Sequence, residues 1–145
     1  MTHATALAIN ADINMLQHHG VTVYPENIAD SALPPCPDLA QDLGGRYLIK
    51  YIRQDSFNRL SAMSGITHFP GRHHVTPTVL CAADLGKALH LPPLPNPKYA
   101  LLLNPAKVQA VGPRRILQGI GIEYILPNGF PVDAIIDPQW AVRIA

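Results

Sequence analysis

From Arg46 onwards, the sequence consists of short apolar segments separated by loops rich in proline and glycine. "RYLIKYIR" (46–53) is rich in β-branched and aromatic residues, which favours a strand. "DSFNRLSAMSGI" then predicts a short helix, capped by Asp55 or Ser56 and ended by Gly65. "RHHVT" predicts a second strand and "TVLCAADLGKALHL" a second helix. "KYALLL", "AKVQAV", "ILQGIGIEYIL", "PVDAII" and "WAVRI" predict further strands, so the order predicts an α+β fold that ends in small, mostly antiparallel sheets.

The first 45 residues differ in charge from the rest of the chain. They contain five acidic residues and no Lys or Arg, whereas residues 46–145 contain eleven basic and five acidic residues, so the two parts carry −5 and +6. Residues 4–18 have helical spacing, with a stripe that includes Leu7, Ala8 and Met15. We therefore expect a helix and a proline-rich acidic leader over 1–45 and a compact domain over 46–145. The leader should be attracted to a basic ligand site on that domain.

Missing features exclude several classes of protein. No apolar run is long enough to span a bilayer, and the N-terminus lacks the basic region of a secretory signal. We therefore expect a soluble protein without membrane insertion, either cytoplasmic or delivered into a target cell. Neither a nucleophile elbow nor a phosphate-binding glycine loop is present. Cys36 and Cys81 form no metal or redox motif, which predicts plain thiols.

Three histidines in "HFPGRHHVTP" raise the alternative of a metal site. His68, His73 and His74 lie within seven residues, and "HHVTP" is superficially similar to the start of an HNH nuclease motif. Such a nuclease needs more ligands downstream to hold an ion that activates water, but no histidine follows His90. Adjacent histidines on a strand also point to opposite faces. We expect no metal site, and an HNH-like metallonuclease remains a lesser alternative.

Glu123 stands out in "QGIGIEYILPNGFPVDAI", because it is one of two glutamates in the chain and the only one after residue 26. On a strand, Ile122 and Tyr124 lie on one face and Gly121 and Glu123 on the other. A carboxylate beside a glycine, opposite a packed face, is expected to have open space in front of it, as a ligand-binding group needs. The alternative is a solvated strand residue.

The segment "GIEYILPNGFPVDAI" resembles the closing segment of ADP-ribosyltransferases, in which a catalytic glutamate precedes apolar residues, a proline and a turn into the next strand. "YLIKYIRQDSFNRLSAMSGI" is similar to the opening strand and helix of that family, and "RHHVTPT" stands where it has an aromatic-x-Thr/Ser strand. The resemblance covers most of residues 46–136 and is greatest to bacterial polymorphic toxins. It implies a split antiparallel β core with short flanking helices.

The resemblance also implies a role for individual residues. Glu123 would be the catalytic residue and NAD the co-substrate, since a carboxylate stabilises the positive charge that develops on the ribose when the nicotinamide bond breaks. The residues that would bind NAD are Lys50, Tyr51 and Arg53 on the first strand and His74 and Thr76 on the second. A macromolecular acceptor, either protein or nucleic acid, and a cognate immunity protein are the implied partners.

Two departures from the family pattern leave alternatives open. The opening strand reads "IKYIR" in place of a His-x-Thr or Arg signature, so the first-strand residue that contacts NAD is open. Gly121 stands where the family often has an acidic residue or glutamine, which leaves the acceptor open. The alternative from another class is a non-enzymatic binding module with a basic surface. In that module, Glu123 would pair with a neighbouring arginine and no cleft would form.

Overall fold

The structure is a computed structural model that describes residues 3–53, 55–56, 58–59, 65–90, 99–136 and 142–143. The α-helices are α1 (His3–His18), α2 (Leu39–Asp42) and α3 (Ala82–Ala88). Single 3-10 turns cover Asp30–Ala32, Pro105–Lys107 and Val132–Ala134. The strands are β1 (Leu48–Ile52), β2 (His68–Phe69), β3 (His73–Val75), β4 (Tyr99–Leu103), β5 (Val111–Arg115), β6 (Ile122–Leu126), β7 (Phe130–Pro131) and β8 (Val142–Arg143). None of the described helices is long and apolar enough to cross a membrane.

The fold is α+β, with antiparallel sheets. One sheet has the order β1–β4–β8, another has the order β3–β6–β5, and β2 pairs with β7. The two larger sheets meet where Ile49 of β1 and Thr76, next to β3, exchange two backbone hydrogen bonds of 2.8 and 3.0 Å. The strands therefore follow the order β5–β6–β3–β1–β4–β8, joined by a single bridge between β3 and β1. Such a junction leaves room for a cleft between two sheets.

Several predicted elements are present with changed bounds. Residues 55, 56, 58 and 59 are helical, and the rest of that predicted helix lies outside the described residues apart from its end at Gly65. The predicted strand "AKVQAV" is wrong, because Pro105–Lys107 form a 3-10 turn and the strand begins only at Val111. The strand then continues through Gly112 and Pro113 to Arg115. The two arginines, Arg114 and Arg115, therefore lie on a strand that the sequence did not predict. "PVDAII" is also largely a 3-10 turn.

Helix α1 is confirmed, but the face that it buries differs from the prediction. Leu7 is 55% exposed, whereas Ile9, Ile13 and Leu16 are buried in the same core as the strands of the later domain. Both stripes have helical spacing, and the one with the larger aliphatic side chains removes more apolar surface from water. The first helix is thus part of the hydrophobic core.

The proline-rich leader lies along the edge of β5. The backbone N–H of Tyr24 donates to Pro113 and that of Arg115 donates to Tyr24, both at 2.9 Å. Further along, the N–H of Cys36 donates to Ala110 at 2.9 Å. The intervening segment, which contains Asp30, is consequently held next to the sheet that carries Glu123.

Candidate functional site

Strand β6 places Glu123 on the face opposite the core. All five residues of β6 are buried, and Ile122, Tyr124 and Leu126 contribute to the core. Glu123 itself is 7% exposed. The space beside Gly121 is closed, because a Cβ there would lie 3.0 Å from the carbonyl oxygen of Ala88, which accepts a hydrogen bond from the Gly121 N–H. The glycine therefore admits the end of α3, and the space in front of the Glu123 carboxylate comes from a cavity that other residues border.

Two basic side chains hold the Glu123 carboxylate. Arg114, directly opposite on β5, donates from Nη2 at 2.7 Å and from Nε at 3.2 Å to Oε1. His74 on β3 donates from Nδ1 at 2.7 Å to Oε2. Burial alone would raise the pKa of Glu123, but these hydrogen bonds and the charges of both partners outweigh burial and lower it. Glu123 is consequently a charged carboxylate at neutral pH.

Asp30 from the leader extends this network. Arg114 donates from Nη1 to Oδ1 of Asp30 at 2.6 Å and to the carbonyl oxygen of Ile28 at 2.8 Å. Arg72 forms an ion pair with the same aspartate. Partial burial would raise the pKa of Asp30, but the hydrogen bond from Arg114 and the surrounding positive charges outweigh it and lower that pKa. The result is a continuous chain of ion pairs and hydrogen bonds that runs from Arg72 through Asp30, Arg114 and Glu123 to His74.

These side chains border a cavity of about 520 Å³ at the junction of β1 and β3, which we call the Glu123 cleft. Five of the six residues assigned by the family resemblance line it: Lys50, Tyr51, His74, Thr76 and Glu123. Arg72 and Arg114, which the sequence did not identify, line it too. Arg53 is not among the described residues of the wall, and its Nε lies 3.7 Å from a carboxylate oxygen of Asp55.

The hydroxyl of Tyr51 has a structural role. It donates to the carbonyl oxygen of Thr78 at 2.7 Å and accepts from the N–H of Leu80 at 2.8 Å. Burial raises the pKa of Tyr51 to about 12. The hydroxyl is thus committed to the backbone of the segment that precedes α3, and only the ring is available to a ligand.

Lys50 borders the Glu123 cleft and also a second cavity. Because side chains alternate along β1, Lys50 shares a face with Leu48 and Ile52, opposite the face of Tyr51. Burial lowers its pKa. Among the described residues, no carboxylate forms an ion pair with Lys50. Its ammonium group is thus a half-buried positive charge without an acidic partner in the part of the chain that the structure describes.

The three histidines of "HFPGRHHVTP" each use a ring nitrogen in a separate hydrogen bond. His68 donates from Nε2 to the carbonyl oxygen of Asn128 at 2.8 Å, and His73 donates from Nε2 to that of Pro70 at 3.0 Å. His74 bonds Glu123. Within the described ranges, no group of three or more His, Cys, Asp or Glu side chains is arranged to hold a metal ion.

The Glu123 carboxylate retains limited capacity for a ligand. A carboxylate has about four lone-pair positions. Oε1 accepts two hydrogen bonds from Arg114 and Oε2 accepts one from His74. Oε2 can therefore accept one further hydrogen bond, such as one from a sugar hydroxyl. His74 is accessible from the cleft, since 45% of its side chain is exposed.

Arg114 was missed because "VGPRR" contains a Gly-Pro pair, which predicts a loop. The available signal was the pair of adjacent arginines, of which Arg115 is exposed and Arg114 is buried. Asp30 was missed as an individual residue, although the acidic leader was expected to approach the basic groups of the ligand site.

Comparison with known proteins gives no relative on which to rest an assignment. No protein-family model matches the chain, and no curated protein and no solved structure matches it at a significant level.

Proposed function

We propose that this protein is an NAD-dependent ADP-ribosyltransferase, a bacterial toxin or effector domain that modifies a macromolecular target. The observation that carries the proposal is the position of Glu123. This charged carboxylate lies on the wall of a cleft at the split between two antiparallel sheets, beside His74 and Thr76. Residues that the family resemblance placed on three separate segments of sequence thus border one cavity.

The cleft suits the electrostatics of the reaction. Departure of nicotinamide leaves positive charge on the ribose, and a carboxylate that is already charged and fixed stabilises that charge without reorganising. The acceptor nucleophile forms the new bond to the ribose carbon as the bond to nicotinamide breaks, and the acceptor proton passes to solvent. The free acceptor position on Oε2 of Glu123 fits a ribose hydroxyl.

Arg72 and Arg114 are the best-placed groups for the pyrophosphate of NAD. Both line the cleft. Arg72, which is about half exposed, can bind phosphate oxygens through paired hydrogen bonds. Arg114 already donates four hydrogen bonds within the protein, so it contributes positive charge and gains donors only where the ligand displaces Asp30. The resemblance assigned this role to basic residues on the first strand. Of those first-strand residues, Lys50 lies on the same face of β1 as Leu48 and Ile52. Arg53 is not among the described residues that line the Glu123 cleft. The volume of about 520 Å³ lies within the range of small-molecule sites.

Transfer of labelled ADP-ribose into a cell lysate tests the proposal. The wild-type protein should label a macromolecule, and Glu123→Gln, which keeps the side-chain shape but removes the charge, should reduce labelling at least a hundredfold. Arg115→Gln is the matched control, because this neighbour of Arg114 is exposed on the same strand. Equal labelling by wild type and Glu123→Gln would contradict the assignment.

One observation favours the alternative, a non-enzymatic binding module. The binding-module hypothesis expects Glu123 to pair with a neighbouring arginine, and Glu123 does pair with Arg114. The same hypothesis expects no cleft, but a cleft is present. Thermal unfolding with added NAD distinguishes the transferase from the binding module, since a ligand that binds only the folded state raises the melting temperature. A melting temperature that does not change at millimolar NAD would favour the binding module.

A further inference from the structure

A second cavity of about 310 Å³ lies beside β2 and β7, and we call it the Phe130 pocket. Its aromatic wall contains Phe69, Phe130 and His73, and its basic groups are Lys50 and Arg59. Of these five residues, only Lys50 also borders the Glu123 cleft. Neither the proposed function nor the family resemblance uses this pocket.

The aromatic wall is fixed by backbone and ring contacts. Phe69 and Phe130 are paired residues of β2 and β7, with ring centroids 5.2 Å apart and planes tilted by 40°. The His73 ring lies 5.0 Å from that of Phe130 at 64°, and its hydrogen bond to the Pro70 carbonyl holds it there. Tilted rings in contact form an ordered apolar wall, against which a planar ligand ring can pack with favourable geometry.

The charged groups around the pocket have one sign. Lys50 and Arg59 are basic, and no described residue that lines the pocket is acidic. A half-buried ammonium without a partner is costly, and burial lowers the pKa of Lys50 accordingly. An anion bound in the pocket would compensate that charge, with Arg59 at the solvent-exposed side as a second donor.

We propose that the Phe130 pocket binds a small aromatic anion, a single planar ring that bears a carboxylate or a phosphate. The ring packs against Phe69 and His73, which contact the buried ring of Phe130, and the anionic group is held between Lys50 and Arg59. A volume of about 310 Å³ is at the lower end of the range for small-molecule sites, so the ligand is smaller than a dinucleotide. This site shares Lys50 with the Glu123 cleft, and it does not depend on the proposed reaction.

Isothermal titration of the full chain with four probes tests both halves of this recognition. Phenyl phosphate and benzoate carry a ring and a charge, benzyl alcohol carries the ring alone, and inorganic phosphate carries the charge alone. We expect both aromatic anions to bind at least tenfold more tightly than either single-feature probe. Equal affinity of benzoate and benzyl alcohol, or of phenyl phosphate and inorganic phosphate, would overturn the proposal.

A matched pair of variants assigns the binding to one cavity. Arg59→Gln should weaken phenyl phosphate at least tenfold, whereas Arg115→Gln, the same change at an exposed position that is not among the described residues lining either cavity, should leave it within twofold. Lys50→Met should also weaken it, and thermal unfolding verifies that each variant is folded. Loss of affinity in Arg72→Gln but not in Arg59→Gln would place the anion in the Glu123 cleft and refute the Phe130 pocket.

Discussion

Replacing Asp30 with asparagine should strengthen the binding of NAD to the Glu123 cleft. The Asp30 carboxylate occupies both arginines that we assign to the pyrophosphate, Arg72 and Arg114. A ligand phosphate must therefore compete with a carboxylate of the same chain. The substitution removes the negative charge and retains a neutral side chain of nearly the same shape, which weakens the competitor without truncating the leader.

The size of the effect follows from the exposure of the two ion pairs. Asp30 is 34% exposed, and its bond to the buried Arg114 is worth about 1.5–3 kcal/mol at most. The pair with Arg72, whose side chain is about half exposed, adds about 0.2–1 kcal/mol. Asparagine still accepts a neutral hydrogen bond, so we expect a net release of about 1–2 kcal/mol. At about 1.4 kcal/mol per factor of ten, the dissociation constant for NAD should fall about five- to thirtyfold.

Calorimetric titration with NAD at low and high salt measures this change. Screening at higher ionic strength weakens interactions between exposed charges, so the gain should shrink as salt is added. Asp38→Asn is the matched control, because it removes the same charge from an exposed position of the leader. Weaker NAD binding in Asp30→Asn would refute the competition and show that Asp30 instead positions Arg114 for the ligand.

Three further predictions concern stability. Lys50→Met should raise the free energy of unfolding by about 1–2 kcal/mol in urea titrations, because it removes a half-buried charge that lacks an acidic partner among the described residues; a destabilised variant would contradict this. The pKa of Glu123 is lowered in the folded state, so ionised Glu123 stabilises the fold above the ordinary value of 4.5, and this stabilisation is lost as pH falls through the lowered value. The free energy of unfolding of Glu123→Gln should therefore fall less than that of the wild type between about pH 5 and 3. The same pH dependence in both proteins would exclude this linkage. Removing residues 1–44 should unfold the protein, as measured by far-UV circular dichroism, because burial of Ile9, Ile13 and Leu16 contributes about 1.5–3 kcal/mol of stability for each side chain. A truncated protein that keeps its melting transition would show that α1 is dispensable.

The alternation of side chains made part of the site predictable. With "RHHVT" and "ILQGIGIEYIL" predicted as strands, His74 and Thr76 share one face, as do Glu123 and Ile125. The pairing of β3 with β6 then brings His74 next to Glu123, since residues diagonal across a strand pair are neighbours. Local sequence thus specified the faces, and strand pairing specified the contact.

Contacts that depend on the path of irregular chain were not predictable. Asp30 lies 84 residues from Arg114 and reaches it only because the leader follows the edge of β5. No local pattern encodes that path. The buried face of α1 was ambiguous for a different reason, because two stripes have helical spacing and only the tertiary structure shows which one packs.

Release of nicotinamide from NAD reports cleavage of the bond that Glu123 is proposed to act on. Wild-type protein should release nicotinamide when incubated with NAD and lysate, and Glu123→Gln should release it at least a hundredfold more slowly while remaining folded, because the fixed charge that stabilises the ribose cation is gone. Arg115→Gln should retain the wild-type rate. Absence of release by wild type, or equal rates for wild type and Glu123→Gln, would contradict a catalytic role for Glu123.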